Sequence, residues 1–211
     1  MNLSDDARRL WAAAVDLNRA AAAVSPCVAH LPPLLFFTDP IRTPRPWETA
    51  ARLPPGAGVV YRHFGAPDAA ETAILLQRST QDAGVRLLIG LDDGLAEVIG
   101  ADGVHLPQRA LDRAAVLRAA HPDWILTGAV HEALDAPPAL DAVVLSPVFT
   151  AGGASSMTQA MGLEAFRALA DRLDRPAYAL GGLNARNART LTGSGACGLA
   201  AVGGIVSAFA A

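Results

Sequence analysis

Eight short apolar runs, each separated from the next by a helix-length segment, constrain this chain more than any other feature. They fall at Leu34–Thr38, Gly58–Tyr61, Arg86–Ile89, Gly103–Leu106, Trp124–Ala129, Ala142–Leu145, Ala177–Leu180 and Gly198–Ala201. The runs are continuous rather than alternating, which is the pattern of strands buried on both faces. Strands of that kind that alternate with helices pair in parallel through right-handed crossovers. Eight is the number that closes a barrel, so a single α/β domain of (β/α)8 (TIM) barrel type is expected. A doubly wound open sheet is the alternative.

The intervening segments carry helix signals. Asp68 and Glu71 have the spacing of a capping box, which opens a helix toward Ala83. Leu163, Phe166, Leu169, Ala170 and Leu173 form an apolar stripe that Pro176 stops. Asn184 is placed to cap a helix after Gly181-Gly182. Residues 4–23 read as an amphipathic helix lying over the bottom or side of the barrel. This divides the chain into an N-terminal helical extension over residues 1–30 and a barrel over residues 31–211. No linker-like stretch interrupts the latter, only proline-rich turns around Pro40–Pro46 and Pro54–Pro55.

Composition narrows the function classes. With 52% hydrophobic and 18% charged residues in 211, a sizeable core is possible and disorder is not expected. A net charge of −3 gives no case for a nucleic-acid surface. No apolar run approaches the ~20 residues of a membrane span. Cys27 and Cys197 fit no metal spacing, and with no signal peptide the cytoplasm is the expected compartment. All 17 basic residues are arginine and none is lysine, a bias that a GC-rich genome explains. Phosphate recognition must therefore come from arginine or backbone amides.

In a barrel the working groups sit where strands end and βα loops begin. Two glycine pairs, Gly181-Gly182 after the seventh run and Gly203-Gly204 after the eighth, allow the close backbone approach of a phosphate cradle. Either pair alone is also an ordinary strand end. Arg62 closes the second run and is a candidate anion ligand, with a salt bridge to Asp39 or Asp92 as the structural alternative. His105, at the end of the fourth run, suits acid–base work or a structural role equally. His131 follows the fifth run and is a further candidate.

With these loops in view, the chain resembles the family of thiamine phosphate synthase and the TenI thiazole tautomerase, which are small (β/α)8 barrels. Gly100-Ala101-Asp102-Gly103-Val104-His105-Leu106, with Gln108, is close to the family's Gly-Ala-Asp-Gly-Val-His-Leu-Gly-Gln. Thr38-Asp39 matches its Thr-Asp after strand one, and Arg62 falls on the arginine of its Gln-Leu-Arg-x-Lys. His131 matches the histidine after strand five. Ser146-Pro147-Val148-Phe149 resembles Gly-Pro-Val-Phe, with Gly162 where a lone glycine is expected. Ala179-Leu180-Gly181-Gly182-Leu183 resembles Ala-Ile-Gly-Gly-Ile. The likeness spans about residues 33 to 207, with order and spacing in agreement.

The resemblance implies a step in thiamine biosynthesis. An aminopyrimidine methyl diphosphate loses pyrophosphate with the help of Mg2+, and the nitrogen of a thiazole phosphate attacks the carbocation-like methylene. Arg62, His105 and His131 are the catalytic candidates. Thr38, Asp39, Arg62, Thr150, Gly162, Gly181, Gly182, Gly203 and Gly204 are the candidates for phosphate and substrate binding. The departures concentrate on the metal and pyrophosphate side. Leu91 and Ala110 stand where the family has its magnesium aspartates, and Phe64 stands where it has a lysine. The loop at Thr150-Ala151-Gly152-Gly153-Ala154 also lacks its lysine. Asp92, one residue late, is the remaining metal candidate, with Asp112 as a substitute for the second aspartate. The TenI-type tautomerase needs no metal but uses a histidine where this chain has Pro147. Three readings stand: a divergent synthase, a tautomerase, or a non-catalytic barrel that binds a phosphate ligand. A homo-oligomer is compatible with each. The segment Thr150–Gln159, small and polar, is expected to close over the site.

Overall fold

The computed structural model describes residues 3–131, 136–151 and 159–210. Its strands are β1 (Leu34–Phe37), β2 (Gly58–Tyr61), β3 (Arg86–Gly90), β4 (Gly103–Leu106), β5 (Ile125–Val130), β6 (Ala142–Leu145), β7 (Ala177–Leu180) and β8 (Ala196–Ala201). Each pairs in parallel with the next, and β1 pairs with β8, so the sheet is a closed barrel rather than the open alternative. Every expected strand is present with bounds within two residues, because continuous burial marks a strand's middle better than its ends.

The short strands bury both faces. Leu35, Phe37, Val60, Leu88, Val144 and Tyr178 point inward and fill the barrel. The residues between them in sequence, such as Phe36, Val59, Leu87 and Val104, face the helices. At the lower end two aspartates fix the strand register. Asp102 accepts the Leu87 amide at 2.8 Å and pairs with Arg86, and Asp141 accepts the Leu126 amide at 2.7 Å and pairs with Arg118.

The helices are α1 (Asp5–Ala22), α2 (Pro46–Ala50), α3 (Ala69–Ala83), α4 (Asp93–Ile99), α5 (Ala114–Ala120), α6 (Gly162–Ala170) and α7 (Gly203–Ala208). Ser4 caps α1 through its hydroxyl, which accepts the Ala7 amide, and the apolar face Leu10–Ala14–Leu17 is buried against β8 and α7. The helix thus lies on the side of the barrel. The bottom is closed by a 3-10 turn at Pro26–His30, whose Val28 joins the interior cluster together with Leu31. The Asn18 amide ties this plug down by donating to the carbonyls of Val28, Leu31 and Cys197.

Two expected caps differ. Helix α3 forms, but no Asp68 side-chain bond to the backbone caps it; its carboxylate instead accepts the Thr72 hydroxyl at 3.5 Å. Asn184 opens no regular helix. It accepts the Arg186 amide in a turn that leads only to a 3-10 segment, Ala188–Leu191. Helix α1 packs against that segment and covers the outer face there, so the layer stays complete without a full helix. The apolar stripe at Leu163–Leu173 also ends early, with α6 stopping at Ala170 while Leu173 still packs on the core.

Tyr178 is fully buried inside the barrel and donates its hydroxyl to the Pro32 carbonyl at 2.6 Å, so burial raises its pKa. Replacing it by phenylalanine keeps the packing and leaves that carbonyl unpaired. Tyr178→Phe is expected to lower stability by about 1–2 kcal/mol in urea denaturation, with an unchanged m-value.

Candidate active site at the carboxyl ends of the strands

Thr38 organises the mouth from the end of β1. It is buried, its hydroxyl accepts the Arg62 amide at 2.9 Å, and its carbonyl accepts Arg62 Nε at 2.9 Å. Next to it, Asp39 folds the β1–α2 loop. Its carboxylate accepts the amides of Ile41 and Arg42, and the Thr43 hydroxyl accepts its own amide. A short polar side chain that bonds backbone two and three residues on is what such a turn requires. The turn carries Arg42 toward the last strand, where its Nη2 lies 3.0 Å from the point a Cβ on Gly203 would occupy.

Arg62 is the most informative group in the mouth. Its guanidinium sits between two rings, 5.2 Å from the Phe37 centroid and 5.4 Å from that of Phe64. No carboxylate lies within ion-pair distance of it among the described residues, so neither Asp39 nor Asp92 forms the salt bridge considered from sequence. Burial lowers its pKa from the ordinary value, Asp39 at longer range raises it, and Arg42 lowers it again. An arginine stays charged under such a shift. A cation that is partly desolvated, held by a carbonyl, close to two rings and without a carboxylate at ion-pair distance among the described residues has the chemistry to receive an anion.

The backbone around this cation is strained. Phe64 has φ 48° and Leu91 has φ 69°, the two non-glycine residues with positive φ among the described residues. Each such position costs roughly 1 kcal/mol and concentrates at functional loops. Phe64 is also 72% exposed, so its ring gains little from burial.

His105 points into the barrel beneath Arg62. It is buried, shares a hydrogen bond with Thr127 Oγ1 at 2.9 Å, and stands edge-on to Phe37 at 5.0 Å. Burial first, then the charges of Arg62 and His131, push its pKa down to about 3. It is therefore neutral near pH 7 and cannot deliver a proton there. His131 lies at the rim. Gln108 accepts its amide, and its Nδ1 is 3.0 Å from the Ser146 carbonyl. A carbonyl only accepts, so Nδ1 is the donor in this bond.

The loops after β6, β7 and β8 meet on the far side of the mouth. Gly181 and Gly182 have φ 105° and 65°, and a Cβ on Gly182 would fall 2.5 Å from the Thr150 carbonyl. Glycine is required by both conformation and approach. Gly203 and Gly204 open α7, with Gly204 packed against the Leu183 carbonyl, while Gly162 (φ 77°) starts α6. Thr150, both glycine pairs and Arg42 are thus gathered in one region. The expected closing segment Thr150–Gln159 lies mostly outside the described residues.

Asp92 caps α4, its Oδ1 accepting the Leu95 amide at 2.9 Å, while Oδ2 faces His63 Nε2 at 3.4 Å. Asp93 pairs with Arg113, and Asp112 is exposed. Among the described residues no three His, Cys, Asp or Glu side chains converge to hold a metal ion. These residues do not build a metal cage; Asp92 is a carboxylate at the strand ends that could meet an ion bringing its other oxygens with it. Sequence reasoning did not single out Arg42 or Thr127. An aspartate placed as a turn-former three residues before an arginine was a readable signal for the first; the second needed the barrel register, which pairs Thr127 with His105.

A closed parallel barrel with its cations, histidines and glycines collected at the carboxyl ends of the strands is a (β/α)8 barrel with its candidate site at the usual end. The family model described as thiamine monophosphate synthase matches residues 49–205, and the chain belongs to that family. It is 32% identical over 139 residues to a thiamine-phosphate synthase of Methanocella arvoryzae, covering 64% of this chain and 66% of that protein. A thiamine-phosphate synthase of Leptospira biflexa is 34% identical over 146 residues (65% and 70%), and one of Chloroflexus aurantiacus is 31% identical over 160 residues (72% and 74%). The match to the first of these spans just under two thirds of that protein's length. A solved thiamine phosphate pyrophosphorylase of Pyrococcus furiosus superposes with a TM-score of 0.69 at 23% identity, covering 83% of this chain and 91% of that one, and so shares the fold. Among the described residues no helix is long and apolar enough to cross a membrane.

The folded-state pKa of His105 lies far below its unfolded value of 6.5. The unfolded chain therefore binds the extra proton as pH falls from 6.5 toward 3, and stability is lost across that window. Between pH 7 and pH 5 the wild-type protein is expected to lose about 2 kcal/mol more than His105→Asn, read by urea denaturation at the two pH values.

Proposed function

We propose that the protein is a divergent synthase that couples an aminopyrimidine methyl diphosphate to a thiazole phosphate, releasing pyrophosphate. The observation that carries this reading is Arg62, a guanidinium over the rings of Phe37 and Phe64 with no carboxylate at ion-pair distance among the described residues. In the reaction the bond between the methylene carbon and the diphosphate oxygen breaks, and the thiazole nitrogen supplies the electron pair for the new C–N bond. Negative charge grows on the departing oxygen, and a fixed cation aimed at that charge lowers the barrier without reorganising. Arg62 is assigned to the diphosphate. The amides and close-packed backbone at Gly181-Gly182 and Gly203-Gly204, with Thr150 and Arg42, are assigned to the thiazole phosphate.

Neutral His105 forms the floor as a hydrogen-bonding wall with Thr127 rather than as an acid. A Mg2+ ion, when bound, would supply further charge neutralisation on the diphosphate, and Asp92 is the residue that would hold it together with substrate oxygens.

A thiazole phosphate tautomerase is the second reading, and one observation favours it. His131 stands at the rim with Nδ1 held by the Ser146 carbonyl, which leaves Nε2 as its ring nitrogen for proton transfer.

The test mixes purified protein with both substrates, with and without Mg2+, and measures thiamine phosphate. Product is expected, and Arg62→Gln is expected to reduce kcat/KM by about 100-fold or more, the loss typical of a charge-stabilising group. Asp92→Ala is expected to cost about 1 kcal/mol of stability through the lost cap, and to weaken the response to Mg2+ if it holds the ion. Thiazole-phosphate binding without product under any metal condition would leave a ligand-binding barrel in place of a synthase.

A further inference from the structure

The geometry points to Phe64 as a specificity-determining residue that receives the flat ring of a substrate whose anionic group Arg62 holds. The inference rests on the synthase reading above and adds the recognition of the ring to it.

Three observations at this residue agree. Its backbone sits at φ 48°, a conformation that a bulky L-residue adopts only at a cost. Its side chain is 72% exposed, so burial does not repay that cost. Its ring lies 5.4 Å from the Arg62 guanidinium carbon, on the cation that already has Phe37 at 5.2 Å. Strain held at an exposed aromatic, on the loop next to an unpaired cation, is strain that folding alone does not explain.

The loop fixes where the ring goes. Arg62 is held by two bonds to Thr38, and Gly65 donates its amide to His63 Nδ1, which ties the turn on either side of Phe64. One side of the ring is taken by the guanidinium, and most of its surface is open to solvent at the mouth. A ligand anchored by its anion on Arg62 would bring an attached heteroaromatic ring over that open surface. Stacking of this kind tolerates many ring types but discriminates a ring-bearing anion from a bare one. Nearby Asp39 and Arg42 act on Arg62 through charge and do not distinguish the two.

The experiment measures binding by calorimetry with two probes: the aminopyrimidine methyl diphosphate, which carries a ring, and inorganic pyrophosphate, which does not. The full chain is compared with Phe64→Ala, Phe64→Gly and Phe64→Trp. The ring-bearing probe is expected to weaken about tenfold in the alanine and glycine variants and to recover in the tryptophan variant. Pyrophosphate affinity is expected to change less than about threefold. Phe64→Gly is further expected to raise Tm, because glycine accepts φ 48° without strain while binding is still lost. Equal losses for both probes would show that Phe64 only steadies Arg62, and unchanged affinity for the ring-bearing probe would show no role; either result overturns the inference and leaves the synthase reading standing. A wild-type protein that binds neither probe overturns both.

Discussion

Backbone hydrogen bonds between the strand at Leu34–Phe37 and the strand at Ala196–Ala201 join the first strand to the last, and most of the site depends on that closure. Without it the loop carrying Asp39 and Arg42 would lie at one edge of an open sheet and the Gly203-Gly204 loop at the other. With it, Arg42 reaches the start of the last helix. Closure also encloses Phe37, His105 and Thr127 in a water-poor interior, which keeps the histidine neutral and places a hard floor under Arg62.

Charge distribution follows the same division. At the lower end acids and bases are matched, with Asp102 against Arg86 and Asp141 against Arg118, and each aspartate also holds a strand amide. At the upper end the acids are spent on local structure. Asp39 folds its turn, Asp92 caps a helix, and Asp93 pairs with Arg113. Among the described residues Arg62 has no acidic partner at ion-pair distance. The lower end therefore holds matched ion pairs that fix strand register, while the upper end keeps a cation at the strand ends, where a barrel of this type carries its working groups.

Much of the site was legible because its residue types have few other uses. Glycine at Gly181 and Gly182 is demanded by positive φ and by contact with the Thr150 loop, so the pair stood out as backbone approaching backbone. Arg62 stood out as a charge ending an apolar run. The failures have physical reasons as well. Asp68 has the spacing of a cap but its carboxylate turned to the Thr72 hydroxyl, a choice between equivalent local bonds that spacing cannot rank. The helix expected after Gly182 is only a 3-10 turn, and α1, distant in sequence, packs over that face, a contact no local pattern announces.

The sequence by itself determined the architecture and the family, since continuous apolar runs and the Gly100–Gln108 motif are local signals that no packing partner alters. Tertiary structure alone decided what each charge does. Whether Arg62 is neutralised, whether His105 can hold a proton, and whether Phe64 is buried depend on atoms contributed by other strands. Electrostatic energy and desolvation are set by distance and burial in space, and neither is a property of neighbours along the chain.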